Sequence, residues 1–311
     1  MAGSDILVFD RGAVRAHRRR AAAQFAGHDF LFREVALRLV DRLADISRAF
    51  PVALDLGARG SVLAETLHGE GVRAARGIAT LVEAAPVRAF AHAPLGLVAD
   101  EEMLPIAPAS CDLVLSNLSL HWVNDLPGAL LQIRQSLKPD GLFLGAMLGG
   151  ETLPELRSAL AEAEEAVEGG VSPRVSPFAD VRDLGGLLQR AGFALPVTDA
   201  DTIRVTYADA FGLFRDLRGM GETNAVIERR RTALRRATLL RAAEIYQARF
   251  AGPDGRIPAT FQVVTLTGWA PHESQQKPLR PGSAKARLAD ALGTTEITTG
   301  DKTGPVRPKR V

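Results

Sequence analysis

Only one of the 311 residues is a cysteine. Cys111 therefore has no partner for an internal disulfide, and Cys-rich zinc and iron–sulfur sites are excluded. A reducing compartment is the natural setting. No stretch reaches the roughly 20 consecutive apolar residues that a membrane-spanning helix needs. Asp5 and Asp10 interrupt the start and no apolar core follows them, so no secretory signal is read. The chain has no Gly-x-Ser-x-Gly elbow, no phosphate-binding Gly-x-x-x-x-Gly-Lys run, and no Asn-Pro-Pro-aromatic motif of the kind used by amino-methylating nucleic-acid enzymes. Net charge is nearly absent too, at +2. From Lys277 onward eight basic and three acidic residues give +5, so the rest of the chain carries −3. A basic pI that comes from the tail gives no ground for a nucleic-acid partner.

What is present is ordinary for a globular chain: 46% hydrophobic and 24% charged residues. Arg11, Arg15, Arg18, Arg19 and Arg20 read as a basic first helix rather than a transit peptide. Leu31, Val35, Leu39 and Leu43 repeat every four residues and predict a helix over 29–48. Val52-Ala53-Leu54-Asp55-Leu56-Gly57 reads as a buried parallel strand feeding a turn, followed by a helix over 61–68. Further strands are expected at 76–79, 95–99, 112–116 and 142–148. A helix between the last two starts near Asn124 or Asp125 and stops at Lys138-Pro139-Asp140-Gly141. This alternation means a parallel sheet with helices on both faces. Beyond it, helices are expected around 153–160, 181–191, 209–217 and 227–250, and strands at 202–207 and 260–269. The expected organisation is an N-terminal helical segment (1–50), an α/β domain (51–270) with a helical cover from about 151–250, and a disordered basic tail (271–311).

Chemistry-bearing residues cluster at the carboxyl ends of the strands, where open α/β sheets bind ligands. The first strand leads into Asp55-Leu56-Gly57-Ala58-Arg59-Gly60-Ser61. The third ends at Asp100, Glu101 and Glu102, and the fourth at Asn117, with His121 and Trp122 just beyond. Asp100–Glu102 also suit a helix cap, and His121-Trp122 a packing pair. His68-Gly69-Glu70, with His92 or His121, has some of the spacing of a non-haem iron site, but His68 reads as a surface residue at a helix end. Six arginines between Arg229 and Arg241 read as a solvated helix face, or as a docking surface for an acidic protein.

These elements resemble the class I methyltransferase fold, a Rossmann-like, mostly parallel seven-stranded sheet that binds S-adenosylmethionine. Val8-Phe9-Asp10-Arg11, Ala53–Gly57, Ala99–Glu102, Ser119-Leu120-His121-Trp122-Val123-Asn124-Asp125-Leu126-Pro127, Gly149–Leu153, Ser172-Pro173, Gly219-Met220-Gly221-Glu222 and Pro258–Gln262 more specifically resemble the complex I assembly factor 5 family, over residues 8 to about 285. The resemblance implies a methyltransferase-like protein that acts on a protein substrate, a subunit of NADH:ubiquinone oxidoreductase, by arginine hydroxylation rather than demonstrated methyl transfer. It implies S-adenosylmethionine at Asp55, Gly57, Gly60, Asp100, Glu101 and Asn117, His121 as the best candidate for a base, and Trp122 at the substrate entrance. No metal, no nucleic acid and no membrane span are expected, with peripheral membrane association left open. Because only eight residues precede Phe9, a bacterial cytoplasmic protein is expected.

The sequence departs from the fold's Asp-x-Gly-x-Gly-x-Gly turn. Arg59 and Ser61 stand at the second and third glycine positions. Arg59 has room to fill the ligand's space, to swing out, or to bind its carboxylate. The slot for a ribose-binding acid falls at about Gly77, where no carboxylate stands, and Glu83 is too far along to serve. Such losses cost on the order of 2–4 kcal/mol of ligand binding, so weak cofactor affinity is expected. Two other readings remain: a non-catalytic assembly protein with a degenerate cofactor site, and a small-molecule methyltransferase.

Overall fold

The computed structural model describes residues 7–92, 94–276, 290 and 293–295. The chain divides into two compact units, Met1–His272 and Glu273–Val311. Most of the tail expected from 271 onward lies outside the described residues.

The first unit begins with α1 (Arg11–Ala21) and α2 (Phe30–Ala44). Asp10 caps α1 by accepting from the Ala13 amide. The four-residue repeat of α2 is buried throughout, with Leu31, Val35, Leu39 and Leu43 at most 1% exposed. There follow β1 (Val52–Leu56), α3 (Val62–Gly69), α4 (Val72–Ala75), β2 (Thr80–Ala85), β3 (Gly96–Val98) and β4 (Cys111–Asn117). Next come α5 (Leu126–Ser136), β5 (Leu137–Leu148), α6 (Pro154–Glu168), α7 (Val181–Arg190), β6 (Ala194–Tyr207), α8 (Ala210–Met220), α9 (Arg236–Phe250) and β7 (Ile257–Trp269). The strands form one seven-stranded sheet in the order β3-β2-β1-β4-β5-β7-β6. β7 runs antiparallel to both of its neighbours, and the other pairs are parallel.

Both faces of the sheet are covered. Ala53, Leu113, Leu115 and Leu144 pack with α2, α3, α6 and α9 on one face. Leu54, Leu56, Val114 and Phe143 pack with α5 and α7 on the other. Burial on both faces is why β1 and β4 read as continuous apolar runs. A third cluster (Phe9, Val14, Trp122, Ala225 and Val226) ties the N-terminal segment down.

Several elements differ from the sequence expectation: β5 begins at Leu137 and runs through the expected 138–141 turn, and β6 begins at Ala194 rather than 202. The second strand is Thr80–Ala85, not 76–79, and residues 76–79 form the turn and approach that precede it. The helix expected over 227–250 begins only at Arg236. Arginines ahead of it are used as ties: Arg229 donates to Asp10 and to the Val226 carbonyl, and Arg230 pairs with Glu168. Side-chain bonds across the fold replace the helical turn that the charge pattern alone suggests.

Candidate functional site

β1 and β4 lie side by side at the centre of the sheet, so their carboxyl ends bring Asp55, Gly57 and Asn117 together. Gly57 takes a left-handed conformation, φ +79°, to turn the chain toward α3. Its amide and that of Ala58 both donate to the Ala84 carbonyl, at 2.8 and 3.0 Å. A Cβ built on Gly57 would lie 2.1 Å from Ser119 Oγ and 3.3 Å from Glu101 Oε1. Glycine is therefore required here both by the backbone and by the neighbours. Gly57→Ala should cost about 2–4 kcal/mol in a urea unfolding series, with part of the loss recovered by adding Ser119→Gly.

Asp55 is buried, and Oδ1 has no hydrogen-bond partner. Burial first, then the charge of Glu83, holds its carboxyl well above the ordinary carboxylate range. Glu83 stands opposite Asp55 in the β1–β2 register and accepts from the His92 amide at 2.8 Å. The acid that the sequence reading set aside thus lies on the strand next to the glycine turn. Gly77 lies in the turn before β2, at the opposite end of the sheet, and its expected slot is corrected accordingly. The miscount came from β2 itself, whose Glu-Ala-Ala end lacks the β-branched signature of a strand. Gly60 (φ +62°) faces His92, and Ser61 precedes α3 without capping it.

Arg59 swings inward. It is 3% exposed, and its guanidinium lies over the rings of Phe32 and Phe90, 5.1 and 5.5 Å from their centroids. Nη1 donates to the Met220 carbonyl at 3.0 Å and Nη2 to Glu222 Oε1 at 2.5 Å. Burial, followed by the Arg18 charge, pulls its pKa down to about 9, so it stays charged at neutral pH against Glu222. The other oxygen of Glu222 accepts from Trp122 Nε1 at 2.7 Å and meets His121 Nε2 at 3.0 Å. Burial, the largest influence, pushes the Glu222 carboxyl up; Arg59 and His121 outweigh it and bring it to about 2. A carboxylate accepts at His121 Nε2, so that nitrogen carries the proton and Nδ1 is a bare acceptor, buried without a partner. Burial lowers the His121 pKa, which favours the neutral ring.

The acidic end of the third strand meets α1. Glu101 is fully buried between Arg11 and Arg18, and Ser119 donates to it. Burial pushes its carboxyl up, and the two arginines overcome that and hold it well below the usual range. Asp100 pairs with Arg11 and Arg15. Glu102 Oε1 accepts from the Asn124 amide, and the Asn124 side chain accepts from the Val8 and Phe9 amides. The block from His121 to Pro127 therefore clips the N-terminal segment over the strand ends, where Arg11 also donates to the Trp122 carbonyl.

The sequence candidates Asp55, Gly57, Glu101, Asn117, His121 and Trp122 are thus gathered at one rim, all buried, with Asp100 at its edge. The same rim holds Arg11, Arg18, Glu83 and Glu222, none of which the sequence names as a site residue, Glu83 being the acid it sets aside. His68 is exposed at the end of α3, and no cluster of three or more metal-ligating side chains occurs among the described residues.

The rim's chemistry suits a polar ligand. Besides Asp55 Oδ1, Asn117 Oδ1 is buried without a partner, although its amide donates to the Phe32 carbonyl at 2.9 Å. Part of the rim's space is taken by the chain's own side chains. Ser119 and Glu101 stand against the open side of Gly57, Arg18 donates to both of them, and Arg59 is buried close by on Met220 and Glu222.

A methyltransferase-domain family model matches residues 25–196. The zebrafish (Danio rerio) protein named arginine-hydroxylase NDUFAF5, mitochondrial, is 46% identical over 91% of this chain and 89% of its own length. The human protein of the same name is 46% identical over 91% of this chain and 83% of its own. The malonyl-[acyl-carrier protein] O-methyltransferase of Xylella fastidiosa is 35% identical over 85% of this chain and 89% of its own. Among solved structures, a Haloferax volcanii methyltransferase in complex with its Trm112 activator matches 85% of this chain and all of its own at a TM-score of 0.51, with 18% identity, a likeness of fold. The names of the zebrafish and human relatives place them in mitochondria, which overturns the expectation of a bacterial cytoplasmic protein. That expectation rested on the eight residues before Phe9, and the start of a sequence says nothing about a leader.

Proposed function

Since the chain belongs to the arginine-hydroxylase NDUFAF5 family, built on a methyltransferase domain, we propose that it recognises and modifies an arginine side chain of a protein substrate. The observation that carries this reading is the rim itself. Three guanidiniums, those of Arg11, Arg18 and Arg59, are held there by Asp100, Glu101, Glu222 and Ser119 with little or no exposure. Charge-assisted hydrogen bonds from guanidinium nitrogens to buried carboxylates are the chemistry an arginine-directed site needs, and each of these arginines puts one terminal nitrogen on a carboxylate. The likeness to the complex I assembly factor family supports a complex I subunit as substrate, and the names of the relatives support a mitochondrial setting.

Within this reading the chain's own residues have separable tasks. Glu101 and Glu222 supply fixed negative charge in a dry rim, where it acts far more strongly than in water. His121, held by Glu222, presents a neutral Nδ1 that can take a proton. Trp122 and Phe9, edge to face at 5.3 Å, exclude water on one side. No step is assigned to S-adenosylmethionine, because part of the rim's space is taken by the chain's own side chains. Asp55, Gly57, Gly60, Asp100, Glu101 and Asn117 become an open cofactor site only if the arginines withdraw.

A second reading, a non-catalytic assembly protein, draws on the same filled rim. Mass spectrometry of the complex I subunits from a deletion strain separates the two. The enzyme reading expects an arginine peptide that carries one added oxygen atom in the wild type and loses it on deletion. Identical peptides in both strains would leave the assembly reading.

A further inference from the structure

Helix α6 carries a buried acid that the rim does not use. Glu164 is 0% exposed, and it bonds the segment that leads from α6 to α7. It accepts from the Ser172 amide and hydroxyl, both at 2.8 Å, and from Arg174 Nε and Nη2 at 2.7 and 2.5 Å. Arg230 adds a charge 4.0 Å away. Residues 171–180 form no helix or strand, so ties of this kind set their course. A second tie comes from Asn224, close to Glu222 in the chain, whose Nδ2 donates to the Pro173 carbonyl at 2.7 Å. The segment is thus fastened both to α6 and to the stretch that holds His121. What it brings to the rim is Phe178. The Phe178 ring meets the His121 ring edge to face, with 5.9 Å between centroids and 61° between planes. Trp122 lies against His121 as well, at 5.5 Å. His121 Nδ1 is buried with no partner. The Phe178 ring offers this nitrogen no hydrogen-bond donor, and the Trp122 N–H is given to Glu222.

We propose that Glu164 is a positioning residue for His121: by anchoring the α6–α7 segment it holds Phe178 against the imidazole, and the ring keeps water from Nδ1, so that this nitrogen is left for an N–H of the substrate guanidinium. Only the identity of that donor rests on the arginine-directed reading above; the anchor and the dry wall stand apart from it. The charges that bear on His121 are those of Glu222, Arg18 and Arg59, and none of them bonds Glu164. Loss of Glu164 therefore reaches His121 through the wall rather than through these charges. Burial is the largest influence that lowers the His121 pKa, so a wall that lets water in makes the ring easier to protonate. A dry, neutral Nδ1 is free to take a proton in the reaction, whereas a hydrated one is already bonded.

The test compares the full wild-type chain with Glu164→Gln, Phe178→Ala and Phe178→Leu. One readout is carbethoxylation of each histidine by diethyl pyrocarbonate, located by mass spectrometry. The other is the titration of His121 followed by NMR. In the wild type His121 should stay unlabelled while the exposed His68 reacts. Glu164→Gln and Phe178→Ala should both label His121 at least about tenfold faster, with His68 and His28 unchanged, and the His121 titration midpoint should move to higher pH in both. Phe178→Leu keeps the bulk of the wall and should match the wild type on both readouts. A tie that only stabilised the chain would neither move the midpoint nor be rescued by leucine. A His121 as protected in Glu164→Gln as in the wild type overturns the assignment, and so does faster labelling of all histidines alike. If Glu164→Gln does not fold, Arg174→Gln loosens the same anchor from its more exposed side: faster labelling of His121 supports the assignment and unchanged labelling overturns it. Neither readout needs turnover. Variants that expose His121 but leave the complex I subunit modified at the wild-type level fail the role of His121 in the proposed function and leave the anchor standing. A His121 that stays protected while the subunit loses its added oxygen fails the anchor alone.

Discussion

Glu222→Ala is expected to lower the unfolding midpoint by about 10 °C, the largest single-residue effect in the rim. The substitution leaves the Arg59 guanidinium buried with its charge unpaired, and such losses run to about 3–5 kcal/mol. It also removes the acceptor of the Trp122 indole N–H and the partner of His121. Spread over a unit of this size, each kcal/mol moves the midpoint by about 2–4 °C. Calorimetry of Glu222→Ala, Arg59→Met and the double variant checks the cause. If the Arg59–Glu222 pair is the source, the double variant should be markedly more stable than Glu222→Ala alone, because no orphaned charge remains. A double variant whose loss is the sum of the two singles would show that the pair is not coupled.

Stability should also fall steeply in acid. Glu101 and Glu222 are both held below their unfolded values, so the folded state binds fewer protons than the unfolded state at moderately acid pH. Their contribution is complete above the unfolded carboxylate range and is lost as pH drops from about 4.5 toward 2. For Glu222 alone the shift amounts to roughly 3 kcal/mol, and Glu101 adds to it. Urea midpoints measured at pH 6 and pH 3 should differ strongly in the wild type and less in Glu222→Gln, whose amide does not titrate in this range. A wild-type profile as flat as that of the variant would contradict the charge assignment. Asp55 acts in the opposite sense: its raised pKa means that it weakens the fold as pH rises past the ordinary carboxylate range, so it does not produce the acid loss.

The sheet could be read from the sequence wherever local pattern and tertiary position agree. β1, β4 and α2 are buried on their expected faces, and their apolar periodicity says so without help. The reading failed at β2, where alanine and a buried glutamate carry no strand signature, and ahead of α9, where Arg229 and Arg230 bind acids far away in the chain. The half of β6 before Thr202 was missed for a similar reason: its half-buried Asp199 and exposed Asp201 face arginines of α2 rather than solvent alone.

The rim was legible in its acids and glycines but not in its cations. Asp55, Gly57, Glu101 and Asn117 occur at strand ends, a position that topology identifies. Arg18 meets Glu101 across 83 residues of chain, and Arg59 meets Glu222 across 163. Contacts of that span leave no local spacing to detect. Gly-Met-Gly-Glu was visible only as a family block. In the fold its second glycine seats α1, Met220 offers a carbonyl to Arg59, and Glu222 joins Arg59, His121 and Trp122. The inserted Arg59 is therefore no bare loss from a glycine motif, because it has acquired aromatic and acidic partners of its own.

The filled rim is tested most directly by isothermal titration of the full chain with S-adenosylmethionine. With Arg18 and Arg59 seated and Ser119 against Gly57, binding should be weaker than that of an open methyltransferase site by roughly 30-fold to a thousandfold, and Arg18→Ala should recover part of it. Low-micromolar binding by the wild type, with α1 as protected from hydrogen exchange as in the free protein, would contradict a rim occupied by the chain's own arginines.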